Sequence, residues 1–93
     1  IHMSYSKTNS KLIALINKAV PEALAVPLSE WTSNEDGDGI WFRGSEEYTS
    51  DGGRVFNYYA ADGNMMHPTI QKLLDKHGYY AQPYDCGTVM AYT

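Results

Sequence analysis

Asn34, Asp36 and Asp38 stand at alternate positions in the stretch NEDGDGIWFRGSEE, and Gly39 follows them. Oxygen-bearing side chains at that spacing open the calcium loop of a helix–loop–helix hand, with the glycine making the sharp turn. Trp41 suits the apolar position that comes next. The loop must close on a bidentate Glu at its twelfth position, and Ser45 stands there, with Glu46 one residue late. The flanks PLSEW and IWFR also lack a helical stripe. The stretch therefore reads as an acidic hairpin tip, with Gly37 and Gly39 supplying left-handed backbone. A calcium- or small-ligand-binding module using residues 34–47 is the alternative reading of the chain.

Cys86, His67 and His77 are the other residues with chemistry to offer. A thiol and an imidazole make a nucleophile only when they meet and the thiol pKa is lowered. Cys86 falls in a turn, while the two histidines lie at opposite ends of one helix. His67 reads as that helix's N-cap and His77 as a residue of its last turn, where the dipole favours a basic group. One cysteine and two separated histidines also lack the spacing of a zinc site. No phosphate-cradling loop, Ser–His–Asp order or dinucleotide fingerprint is present. The chain reads as non-enzymatic, with no cofactor and no metal.

Twelve aromatic residues, eight of them tyrosine, need a different explanation. In a strand, neighbours point to opposite faces. Each of the pairs Tyr58-Tyr59 and Tyr79-Tyr80 should send one ring into the core and one outward. With Tyr84 and Tyr92, the outward rings make an aromatic patch on an uncovered sheet face, a surface suited to a partner.

The elements that position these residues follow from local signals. SKTNSKLIALINKAV carries Leu12, Ile13, Ile16 and Val20 on one helical stripe, broadened by Leu15 and Ala19. Ser6, Thr8 or Ser10 caps its start, and Pro21 ends it or opens a short further turn. PLSEWTS, GIWFRGS and GRVFNYYAA read as three strands of a meander. HPTIQKLLDKHG is a helix with Pro68 at its first position and Gly78 as a left-handed cap. YYAQPYD is a strand that Pro83 demotes to an edge or a bulge. DCG is a turn, and TVMAYT is the last strand. The expected fold is α+β: a small antiparallel sheet of about five strands, in the order α-β-β-β-α-β-β, with two helices packed on one face. Residues 1–3 read as a cloning remnant and residues 4–93 as a single compact domain.

Charge is uneven along the chain. Lys7, Lys11 and Lys18 against Glu22 leave residues 1–29 at +2, and residues 63–93 balance. Residues 30–62 carry eight acids against Arg43 and Arg54, which is −6 and dominates the net −4. Nucleic-acid binding needs a basic stripe to displace counterions, so direct contact with nucleic acid is not expected. A partner with a basic surface is. No apolar run reaches membrane-span length. A lone cysteine fits a reducing compartment, most simply the cytoplasm. A small core without staples fits a monomer or a homodimer.

The tail HGYYAQPYDCGTVMAYT, following HPTIQKLLDK, resembles C-terminal segments of small proteins from phages and mobile elements. The whole chain is similar to that class in being short, acidic, rich in tyrosine and without a catalytic motif. Anti-CRISPR and antirestriction proteins belong to it. The resemblance implies an inhibitor that binds a nucleic-acid-handling bacterial defence protein or complex, a CRISPR or restriction component. It carries over no functional residue. From the residues themselves, the expected partner-binding set is Glu35, Asp36, Asp38, Glu46, Glu47 and Asp51, with Trp41, Tyr48 and Tyr58 as apolar anchors.

Overall fold

The computed structural model describes residues 2–31, 39–61 and 63–93, with side chains from Ser10 onward. Helix α1 spans His2–Ala19 and helix α2 spans Pro68–Lys76. Four strands, β1 (Ala25–Pro27), β2 (Ile40–Phe42), β3 (Tyr80–Asp85) and β4 (Thr88–Tyr92), form one antiparallel sheet in the order β1-β2-β4-β3. The fold is α+β as expected, with four strands rather than about five. No helix among the described residues is long and apolar enough to cross a membrane.

Both helices lie on one face. Leu12, Ile16 and Val20 of α1 and Ile70 and Leu74 of α2 share one buried cluster with Ala25, Ile40, Phe42, Val89 and Ala91 of the sheet. Each large apolar side chain fully buried here contributes about 1.5–3 kcal/mol. The α1 stripe is narrower than the sequence suggests, since Leu15 and Ala19 are exposed. The helix also begins before Ser6, Thr8 and Ser10, which lie inside it rather than capping it. Ser and Thr are mediocre helix formers but do not break a helix, so a cap residue marks a start only where nothing upstream continues the turn.

Helix α2 follows its local signals closely. The His67 ring caps it by accepting from the Thr69 N–H, and Pro68 takes the first position. At the other end Gly78 adopts φ 76°. The Tyr79 N–H reaches the Leu74 carbonyl at 2.8 Å, and the Gly78 N–H reaches that of Asp75 at 3.3 Å. These are the two bonds of a Schellman cap, with buried Tyr79 packed beside Leu74. His77 sends Nδ1–H to the Leu73 carbonyl at 2.9 Å, satisfying another acceptor of the last turn.

The expected third strand, GRVFNYYAA, is absent. Only the isolated bridges Tyr48↔Arg54 and Phe56↔Met66 remain there. Val55 and Phe56 are both buried, and the Val55 N–H and carbonyl bond to Glu47 and His67 rather than to a neighbouring strand. Asn57 then opens a turn: its side chain accepts from the Tyr59 N–H and its carbonyl from Ala60. That local bonding displaces the strand pairing its tyrosines favour. Tyr58 and Tyr59 are consequently both exposed, against the expectation of one in and one out. Of the expected strand PLSEWTS, Pro27 ends the short β1 and Leu28–Glu30 form a 3₁₀ turn, while Thr32 and Ser33 lie outside the described residues.

Two close contacts hold the sheet's first edge to the rest. The outward backbone groups of Ala25 would be an open edge, and the Asn17 amide of α1 pairs with both. Nδ2 donates to the Ala25 carbonyl at 2.9 Å, and Oδ1 accepts from its N–H at 2.8 Å. Past β2, Gly44 presses on the turn Pro21–Ala23, donating to the Ala23 carbonyl at 3.0 Å. A Cβ on Gly44 would stand 1.9 Å from the Glu22 carbonyl oxygen, which is backbone and cannot swing away. Gly44→Ala should therefore lower stability by about 1–3 kcal/mol or more in urea unfolding. A loss within experimental error would show that this approach is not required.

Candidate functional site

Alternation in the strands sets the sheet's uncovered face. On β2, Ile40 and Phe42 enter the helix-covered core and Trp41 points the other way. On β4, Val89 and Ala91 enter the core, leaving Met90 and Tyr92 opposite. On β3, Tyr80, Gln82 and Tyr84 share the outward side and are exposed. The register aligns Val26, Trp41, Met90 and Gln82 in one row across all four strands, and Tyr92 with Tyr80 in the next.

The rings on this face touch one another. Trp31 meets Trp41 edge-on, with centroids 5.0 Å apart, and Tyr84 at 5.1 Å. Tyr80 and Tyr92 lie 6.0 Å apart across β3 and β4. Arg43 rests over Trp41 at 5.9 Å. Trp31 is placed by the turn Leu28–Glu30, whose Leu28 N–H bonds the Gly39 carbonyl at 3.0 Å. Met90 is 2% exposed yet outside the core cluster, because Trp41 and Gln82 flank it from the neighbouring strands. Tyr80, Tyr84 and Trp31 stay 52%, 63% and 40% exposed. Between the rings lies a hollow of about 390 Å³, floored by Met90.

A second group of polar residues gathers at the N-terminus of α2, beside an open cavity of about 840 Å³. The Asp51 carboxylate accepts from the Thr49 hydroxyl, from the Gly53 N–H at 3.0 Å and from His67 at 3.0 Å. Because His67 Nδ1 accepts from Thr69, its proton sits on Nε2 and points to Asp51. Both ring nitrogens are thus occupied in holding the 49–53 loop to α2. These bonds, the Thr49 hydroxyl first, pull the Asp51 pKa down to about 2. Arg54 lies over Tyr48 at 5.3 Å on the same cavity's wall.

The thiol–imidazole pair weighed in the sequence is not assembled. Exposed Cys86 meets Tyr59, whose phenol is pushed above its ordinary range chiefly by that hydrogen bond. His67 and His77 are engaged as above. Among the described residues no three His, Cys, Asp or Glu side chains cluster as a metal site would need.

The residues expected to form one partner surface are divided. Trp41 is on the open sheet face, Tyr48 and Asp51 line the cavity, and Tyr58 meets Phe56 and Tyr59 edge-on. Glu46 and Glu47 are exposed, and the Glu46 carboxylate lies against Gly87 in the turn between β3 and β4. Glu35, Asp36 and Asp38, with Asn34 and Gly37, lie outside the described residues. The closing half of the calcium-like stretch is described, and its Ser45 is 2% exposed. Its hydroxyl donates to the Phe42 carbonyl and accepts from the Val89 N–H at 3.2 Å. Ser45 thus extends the bonding between β2 and β4, and residues 43–46 form a turn where the loop's exiting helix would start. The expected outward patch is present at Tyr80, Tyr84 and Tyr92. Trp31 and Met90 went unselected, although the every-second-residue spacing Met90, Tyr92 signals a shared face. The chain matches no family model, no curated protein and no solved structure.

Asp51's depressed pKa fixes a sign. A carboxylate held below its ordinary 3.8 adds stability above that value, and the contribution disappears as pH falls through about 2. The melting temperature should fall between pH 4 and pH 2, and Asp51→Asn should flatten that limb. An unchanged limb in the variant would remove Asp51 as its source.

Proposed function

We propose that the chain is a non-enzymatic protein-binding domain whose partner seats on the open, aromatic face of the sheet. The observation that carries this reading is the continuous set of rings Trp31, Trp41, Tyr84, Tyr80 and Tyr92 around buried Met90, left partly exposed on a face that no described element covers. Aromatic and Met side chains are enriched at interface cores, where they bury much area for little lost rotamer freedom. The acids of residues 30–62 extend the reading, since they favour a partner with a basic surface and speed the encounter.

The resemblance to small phage and mobile-element proteins gives the partner its class: a nucleic-acid-handling bacterial defence protein, a CRISPR or restriction component in the host cytoplasm. An acidic domain that docks beside such a protein's basic groove would occlude the groove without touching nucleic acid. Asp36, Asp38, Glu46 and Glu47 would meet the groove, and Trp41 with its neighbours would supply the affinity.

The test presents the immobilised protein to purified CRISPR effector and restriction complexes, with and without their nucleic acid. One of them should bind, more weakly as salt rises, and bound nucleic acid should compete. Trp41→Ala with Tyr84→Ala should weaken that binding by at least about 30-fold, the effect of losing a hot-spot anchor. Unchanged affinity in the double variant would move the site elsewhere, and failure to bind any complex would end the inhibitor reading.

A further inference from the structure

We infer that the hollow on the open sheet face takes an arginine side chain of the partner. The inference rests on the open face being the docking surface, and it names what anchors there.

The geometry of the hollow follows from the strands. Tyr80, Gln82 and Tyr84 alternate along β3, so the outer two rings flank Gln82 on the same side of the strand. Tyr92 adjoins Tyr80 at one end, and Trp31 adjoins Tyr84 at the other. Met90 and Gln82, paired across β4 and β3, lie between. The result is a slot with aromatic walls and an apolar floor, with the polar side chain of Gln82 in its lining. It is about 390 Å³, roomy for one long side chain.

An arginine meets each of these features. Its methylene stem covers Met90, and its guanidinium stacks on tyrosine faces. Its five N–H donors suit a lining that includes the Gln82 amide, which an aliphatic side chain does not engage. A lysine would stack less well, since its ammonium is more tightly hydrated and lacks a planar face. Charge agrees. Among the described residues no positive group lines the slot, while Asp85 follows Tyr84 and Glu46 lies against Gly87 in the same hairpin. Both acids therefore stand at the Tyr84 end. Arg43, the cation on this face, rests on Trp41 instead of lining the slot. The protein already uses the same pairing internally: each of its two arginines sits over a ring, Arg43 on Trp41 and Arg54 on Tyr48.

The test needs no identified partner. N-acetyl-arginine methylamide is titrated into the folded protein and followed by amide NMR, beside the lysine and leucine analogues. Saturable shifts should be confined to the amides of residues 80–84 and 90–92. The arginine probe should bind about two- to fivefold more tightly than either analogue. Gln82→Ala, an exposed change that leaves the core untouched, should weaken the arginine probe and spare the leucine one. Equal or tighter binding by the leucine analogue at these amides would overturn the arginine assignment while leaving the docking face standing. Unsaturable or scattered shifts with the arginine probe would overturn it as well. The docking face falls separately, if the Trp41 and Tyr84 variant keeps full affinity for the partner protein.

Discussion

A four-stranded sheet that the described residues cover on one face only is the constraint from which the rest follows. Both helices lie on the same side, and their apolar stripes meet Ile40, Phe42, Val89 and Ala91. Strand alternation leaves the side chains between those residues no choice of direction. Trp41, Met90 and Tyr92 point away from the core because their neighbours point into it. The uncovered face then has to shield its own apolar surface, and it does so by packing rings against each other and around Met90. Half-exposed aromatics of this kind are stable alone and gain more from a partner.

The strands are short, so the sheet depends on contacts made beyond them. β2 has three residues, and its pairing with β4 is extended by the Ser45 hydroxyl, which reaches the Val89 N–H across 44 positions of sequence. Gly44 brings the same turn onto the backbone at Glu22 and Ala23. Asn17 closes the free side of Ala25. At the opposite edge, Pro83 and the register shift after it blunt β3. Both edges are thereby poor templates for a further strand.

What the sequence revealed divides along the same line between local and distant interactions. Helix α2 was legible in full, since Pro68, His67 and Gly78 act within one turn of their own positions. The β3–β4 hairpin was legible because alternation and Pro83 carry its register. The segment around Val55 was misread as strand. Its β-forming composition was plain, but the bonds that Asn57 makes to Tyr59 and Ala60 decided the backbone. The role of Ser45 was hidden for the opposite reason, since its partner Val89 lies far along the chain. The site was half legible: outward tyrosines on a bare face were foreseeable from period two. The union of Trp41 with Trp31 and Tyr84 required the sheet order β1-β2-β4-β3, which no local signal gives. Tyr48 and Asp51 were grouped with Trp41 by nearness in sequence, and the fold sends them to the cavity at the start of α2.

Charge and aromatic surface have separate tasks in this arrangement. On the proposed reading, exposed acids would draw in and orient a basic partner, and half-buried rings would hold it. The most direct measurement of that division is hydroxyl-radical footprinting of the protein, free and in complex with the partner it captures. The account predicts strong protection of Trp31, Tyr80, Tyr84 and Tyr92 on binding, with Tyr48 and Tyr59 oxidised as in the free protein. Protection of Tyr48 and Tyr59, with the open sheet face still oxidised, would contradict it.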